Sequence, residues 1–204
     1  GKRYSDLNSQ PCMSNPEVFR LCEQGIIDQM RRDTTCLIYD VSQVDNARFC
    51  ECEKCKAIEN QYGGTHSGIM LWFVNRMADT IRQLFPNKYI STFAYQHSQA
   101  APKNIKPKDN VVIRLAPIHC CYGHPYTNRC NEENSELMTD IEAWSKIAPR
   151  LFIWDYVVDF GQYMAPWPNF RTLGPDLQTY VDNNAMGVFD CADYNGVGGE
   201  FDEM

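Results

Sequence analysis

The chain reads as an α/β protein built on a parallel sheet, and three observations carry that reading. Apolar, strand-like runs alternate with amphipathic helices along the chain, the order that winds a parallel sheet. One run, Leu151-Phe-Ile-Trp-Asp-Tyr156, is apolar enough to be buried on both faces, as parallel strands are. The glycine-rich phosphate loop of a dinucleotide-binding sheet is missing, because Gly63-Gly64 and Gly196-x-Gly198-Gly199 have the wrong context and spacing. Five strands fit either an open doubly wound sheet or part of a (β/α)8, TIM-barrel-like fold, and the missing fingerprint favours the barrel. Such barrels usually need about 250 residues. The 204 residues here are therefore expected to form part of one barrel domain, an excerpt spanning 1–204, whose missing strands would leave sheet edges exposed.

Asn15-Pro16-Glu17 opens the first helix with a capping residue and a first-turn proline, and apolar residues follow at helical intervals to Met30. Thr35 to Val41 is a β-rich strand, which ends in a polar, cysteine-pinned loop running to Cys55. Ser67 to Phe85 places Ile69, Leu71, Trp72, Val74, Met77, Ile81 and Leu84 on one helical face and stops before Pro86. Strands follow at Tyr89–Tyr95 and Asn110–Ala116, joined by a Pro- and Lys-rich connection. After a cysteine-rich loop, Asn134 to Ala148 reads as a helix, with Leu137, Ile141, Trp144 and Ile147 toward the core. Leu151–Tyr156 is the fourth strand, and an aromatic loop then leads through Trp167 to Phe170. A short helix at Pro175–Asn183 and a fifth strand at Met186–Cys191 complete the alternation.

Composition sets the class. Hydrophobic residues make up 44% and aromatics 12% of the chain, without low-complexity tracts, so a sizeable core can form. A net charge of −7 and a pI near 5.1 oppose a nucleic-acid or anionic-membrane surface, since either polyanion would repel it. Apolar runs are too short to cross a bilayer. The residues call for no cofactor. Ten cysteines are many for a reducing cytosol, and an exported protein (secreted, periplasmic or cell-surface) with disulfides is the simplest expectation. A metal drawing thiolates from the two clusters, Cys50/Cys52/Cys55 and Cys120/Cys121/Cys130, is the alternative, although C-x-C-x-x-C followed by C-C-x8-C is no standard finger spacing. Adjacent Cys120 and Cys121 cannot easily pair with each other.

In α/β sheets the loops leaving the carboxyl ends of strands are where substrates bind. Those exits carry Gln43, Asp45 and Asn46, then Tyr95 and Gln96, then His119, then Asp155 and Tyr156, then Asp190, with Glu200 beyond. Carboxylates among aromatic and amide side chains suit sugars, whose ring faces stack and whose hydroxyls need paired donors and acceptors. Glycoside hydrolysis also needs two carboxyl groups, and Asp45, Asp155, Asp190 and Glu200 are the pool. Each has a structural alternative. Asp45-Asn46 also suits an Asx turn, Asp155 a buried ion pair, Asp190 a surface loop, and Glu200 the first turn of a helix after Gly198-Gly199. His119 and His124 flank Cys120-Cys121 and suit either a zinc site or loop hydrogen bonds. Trp154, Tyr163 and Trp167 suit a sugar platform or ordinary packing.

Several ordered motifs together resemble one family: Val41-Ser-Gln-Val-Asp-Asn46, Cys50-Glu-Cys-Glu-Lys-Cys55, Phe93-Ala-Tyr-Gln96, Trp144-Ser-Lys-Ile-Ala-Pro149, Trp154-Asp-Tyr156, Pro166-Trp-Pro-Asn169 and Gly198-Gly-Glu-Phe201. That is the domain-of-unknown-function family 4838, DUF4838, and the resemblance spans nearly the whole chain. It implies a glycoside hydrolase barrel, of which one part is grouped as glycoside hydrolase family 163, with endo-β-N-acetylglucosaminidase activity on N-glycans in exported bacterial proteins. It further implies retention through the substrate's own acetamido group, one carboxylate orienting the acetamide and a second acting as general acid. Asp190 stands where related proteins are expected to carry Glu. The expected substrate-binding set is Gln43, Asn46, Tyr95, Gln96, His119, Tyr156, Trp167 and Asn169, with a glycan as partner. Other readings are a carbohydrate-binding barrel without catalysis and a zinc-stabilised interaction module.

Overall fold

A computed structural model describes residues 9–162 and 165–192. Helix α1 (Pro16–Arg32) begins at Asn15, whose side chain accepts the Glu17 amide, and the proline in its first turn gives up no hydrogen bond there. Strand β1 is short, Ile38–Asp40, against the expected Thr35–Val41. The shortening has a local cause: the Asp33 carboxylate accepts the Thr35 amide at 3.0 Å and the Thr35 hydroxyl at 2.8 Å, which turns the chain before the ladder can start. Helix α2 (Glu53–Gln61) then forms inside and beyond the segment expected to be loop, with Cys52 as its cap and the Cys52 sulfur accepting the Cys55 amide. Helix α3 (His66–Leu84), strand β2 (Tyr89–Tyr95), strand β3 (Val111–Ala116), helix α4 (Glu132–Ile147), strand β4 (Leu151–Tyr156), helix α5 (Leu173–Asp182) and strand β5 (Ala185–Cys191) follow the expected alternation to within a few residues.

The strands pair in chain order, β1-β2-β3-β4-β5, and every pair is parallel. A doubly wound sheet reverses its strand order at a switch point. This sheet does not, and it curls as a half-barrel with the helices outside. Ile26, Ile27 and Met30 of α1, Met70, Leu71, Val74, Met77 and Ile81 of α3, Leu137 and Ile141 of α4 and Tyr180 of α5 share one core with Ile90, Val111, Ile113, Leu115, Leu151 and Ile153 of the sheet. The strand residues of opposite parity, among them Asp40, Phe93, Tyr95, Arg114, Trp154 and Tyr156, therefore occupy the other face, which is helix-free among the described residues. Apolar side chains stand exposed at both sheet edges: Leu37 just before β1 and Ile38 on it, Met186 and Phe189 on β5. Among the described residues no helix is long and apolar enough to cross a membrane.

Gly68 of α3 packs closely on Tyr62, the residue that ends α2: an added Cβ would lie 2.7 Å from Tyr62 Cβ and 3.4 Å from the Tyr62 carbonyl oxygen. Neither atom is the free end of a flexible side chain. Gly68→Ala is expected to destabilise the fold by about 1–3 kcal/mol, and a denaturation midpoint equal to that of the unaltered protein would show that the two helices separate more easily than this geometry allows.

Candidate functional site

Asp40 closes β1 on the helix-free face. Ser42 and Ser91 donate to its Oδ1 at 2.8 and 3.0 Å, and Nη2 of Arg114 donates to the same oxygen. Arg114 comes from the middle of β3, where the register sets it beside Phe93 of β2 and Phe152 of β4. Its guanidinium carbon lies 4.1 Å from the Phe93 ring centre and 5.6 Å from that of Trp154. The Trp154 ring in turn packs at 5.2 Å from Phe93 and 4.3 Å from Phe189. Cation–π contact of this kind contributes about 0.5–2 kcal/mol and fixes the plane of the guanidinium. Nε of Arg114 is buried and has no hydrogen-bond partner among the described residues. The result is an aromatic surface with an oriented cation set into it, chemistry that suits a ring with hydroxyl or carbonyl oxygens.

Further along the strand ends lies a cluster of hydroxyl, amide and carboxyl groups. The Gln96 side-chain amide donates to the Tyr95 hydroxyl at 3.0 Å, and the Asp45 carboxylate and Tyr156 hydroxyl also act on it. Burial first, and then the Asp45 charge, push the Tyr95 pKa up. Gln96 adopts a left-handed backbone, φ 49°, a conformation that costs energy in a non-glycine residue and is often found at functional sites. Gln43 is a brace: its amide donates to the Tyr95 carbonyl at 3.0 Å, and its Oε1 accepts Ser98 Oγ at 2.5 Å. Asn46 makes the turn, its Oδ1 accepting the Arg48 amide at 2.9 Å. That leaves Asp45 exposed. His119, also exposed, shares with Gln96, His97, Glu133, Glu136 and Asp140 a cleft of about 570 Å³, a size within the range of small-ligand sites.

Asp155 takes a different place. Its parity along β4 is that of Leu151 and Ile153, so it faces the helices, where Tyr180 donates to Oδ2 at 2.8 Å and the Tyr156 amide to Oδ1 at 2.8 Å. It is 6% exposed. Asp190 lies opposite it in register, and Asp176 lies nearby, accepting the Tyr126 amide at 2.9 Å. The three acids line a cavity of about 20 Å³, room for a water and not for a sugar. Desolvation raises the pKa of all three, that of Asp176 to about 6. Trp167 and Asn169 belong to this layer: Trp167 packs 4.9 Å from Tyr122, and the Asn169 carbonyl accepts the Thr172 and Leu173 amides at the start of α5. Tyr156 borders both groups, lining the small cavity and acting on Tyr95. Glu200 and Tyr163 lie outside the described residues.

None of the ten cysteines is joined in a disulfide, against the expected disulfide framework. Cys120 turns inward to the Pro117 carbonyl, and burial pushes its thiol up to about 12. Cys121 turns outward, 3.3 Å from His124 Nδ1 and close to Cys130. The sulfurs of Cys12, Cys50, Cys52 and Cys55 gather in one place. A fourth member from outside the two sequence clusters thus joins the first, and the clusters do not meet in a shared group.

Fold and site together define an α/β protein with a half-barrel sheet whose strand ends present an aromatic, cationic and carboxyl surface. Its residues 1–204 match the family described as Domain of unknown function (DUF4838), and the chain belongs to that family. A comparison with curated proteins found no match.

The raised pKa of Asp176 has a measurable consequence. A carboxyl that holds its proton more tightly folded than unfolded adds stability at low pH, and that stability is lost as pH rises through the folded value. Asp176→Asn keeps an oxygen for the Tyr126 amide and removes the ionisation. The stability of the unaltered protein relative to this variant is expected to fall between about pH 4 and pH 6, by roughly 2 kcal/mol. Denaturant titrations across that range check it, and a pH-independent difference would show that Asp176 ionises as freely folded as unfolded.

Proposed function

We propose that this domain is part of a (β/α)8 glycoside hydrolase that cleaves glycans at β-linked N-acetylglucosamine, with retention through the substrate's acetamido group. The observation that carries the reading is Arg114, stacked on Phe93 and Trp154 and bonded to Asp40 on the helix-free face. A sugar ring placed over these aromatics would meet an oriented donor, with the Tyr95–Asp45–Gln96 cluster and the wider cleft at the strand exits beside it. Sequential parallel pairing and the exposed apolar edges support the barrel.

In this reaction the acetamide oxygen attacks the anomeric carbon as the bond to the leaving oxygen breaks, and a general acid delivers a proton to that oxygen. Asp45 is the described carboxylate suited to accept the acetamide N–H, because it is exposed at the strand exits and the Tyr95 hydroxyl stands beside it as a donor. Glu200 takes the general-acid role. Asp155, with both oxygens occupied by tyrosine hydroxyl and backbone donors, holds β4 against α5 and stays out of the reaction.

The test is turnover of N-glycans and aryl N-acetyl-β-glucosaminides by the full-length protein. Asp45→Asn and Glu200→Gln are each expected to lower kcat at least ~100-fold with little change in melting temperature. Asp155→Asn is expected to lower the melting temperature and leave kcat within about a factor of ten at temperatures where it is folded. Absence of activity on the whole panel would overturn the catalytic reading. Calorimetric glycan binding without product would then favour a carbohydrate-binding barrel, which the same aromatic face supports.

A further inference from the structure

Two stretches of chain far apart in sequence, one at Cys12 and one running from Cys50 to Cys55, bring the four gathered sulfurs together. Cys12 lies in the turn before α1, Cys50 and Cys52 in the loop after β1, and Cys55 in the first turn of α2. Their Sγ atoms all lie within 4.8 Å of one another, and Cys12 stands 3.8 Å from both Cys52 and Cys55. A disulfide would need about 2.05 Å, so these are contacts between unbonded sulfurs. Thiolates at about 2.3 Å from a central ion, at the corners of a tetrahedron, lie about 3.8 Å apart. We propose that Cys12, Cys50, Cys52 and Cys55 form a tetrahedral structural zinc site.

The surroundings fit that chemistry. Four soft ligands with no imidazole or carboxylate among them select zinc over hard cations, and four protein ligands leave no open position for substrate. The Cys55 amide points at Cys52 Sγ at 3.5 Å, and the Ser14 oxygen lies 3.4, 3.5 and 3.2 Å from the sulfurs of Cys12, Cys52 and Cys55. These are outer donors of the kind that hold thiolates in place around a metal. Cys52 caps α2 and so lies at the positive end of a helix. Binding replaces the remaining thiol protons with one divalent ion and releases them to solvent, leaving a doubly negative centre with Lys54 and Lys56 next to Cys55 in sequence.

The site joins the segment before α1 to the loop that carries Asp45. Two residues before Cys12, Gln10 bonds to that same loop: its amide donates to the Arg48 carbonyl at 3.0 Å, its Oε1 accepts the Val44 amide at 2.9 Å, and its Nε2 donates to the Val44 and Asn46 carbonyls. Zinc here is a clamp on loop position, and its presence does not depend on what the protein catalyses.

Elemental analysis of the full-length protein, purified without chelator, is expected to find stoichiometric zinc. Cys12→Ser with Cys55→Ser should remove that zinc. Cobalt exchanged into the unaltered protein should give thiolate-to-cobalt charge transfer and the intense visible bands of a tetrahedral ion, a readout that requires no variant to fold. Chelator should lower the melting temperature and added zinc restore it. The proposal is overturned by protein that lacks zinc after growth and purification with zinc present, by iron in its place, by zinc retained in the double variant, or by a disulfide mapped between any two of these cysteines in anaerobically prepared protein. None of these results bears on glycosidase activity, so each reading fails separately.

Discussion

Alternation along β3 and β4 governs which groups in this protein can meet a ligand, because the described helices that share the core lie on one side of the sheet and side chains on successive residues point to opposite sides. Ile113, Leu115, Leu151 and Ile153 go to the helices, and Arg114, Phe152, Trp154 and Tyr156 go to the other face. A slip of one residue in β3 would send the Arg114 guanidinium into the apolar layer beneath α3 and α4. Burying an unpaired charge there would cost several kcal/mol. The register is therefore fixed from both sides, by aliphatic packing on one and by the Asp40–Arg114 pair with its aromatic neighbours on the other.

The same alternation explains why the acids divide. A carboxylate inside an apolar strand must be paired or reactive, and that argument alone does not separate the two for Asp155. Its parity adds where the group lies, on the helix side of the sheet. The oxygens of Asp155 are met by Tyr126, Tyr180 and the Tyr156 amide, so its burial is compensated locally. Asp45 and Tyr95, by contrast, stand at the strand exits, where the loops after β1 and β2 meet.

Strand and helix positions were legible where side-chain pattern alone determines them. Tyr89–Tyr95 and Leu151–Tyr156 match the expected limits, since β-branched and aromatic runs bounded by turn residues admit little else. The start of β1 was not legible, because a side-chain turn at Asp33 competes with the ladder. Helix α2 leaves little trace in the sequence because its cap is a cysteine sulfur and it has few apolar residues to show a period. Around the candidate site, the strand-exit pattern points to Tyr95, Gln96, Asp45 and Tyr156, and it does not mark Asp40 or Arg114, which lie within strands. Arg114 did carry a signal, being the one charged residue in Val111–Ala116. A charge inside a strand covered on one face by helices has to serve the other face. Which distant cysteine joins Cys50, Cys52 and Cys55 is a tertiary fact that spacing does not encode.

Asp45 owes its position to residues far from it in the sequence. The residue sits on an exposed loop after a three-residue strand, a segment with little backbone pairing of its own. Ordering such a loop costs about 1–2 kcal/mol per residue, and the compensating contacts come from elsewhere in the chain. Gln10, 6% exposed, bonds to Val44, Asn46 and Arg48, and Gln43 fastens the loop to β2 through Tyr95 and Ser98. Both braces act on either side of Asp45 and neither touches its carboxylate. The carboxylate is thus held in place by its backbone and by the Tyr95 hydroxyl while the residue stays exposed, the combination a group needs if it is to bind or react at the open end of the sheet.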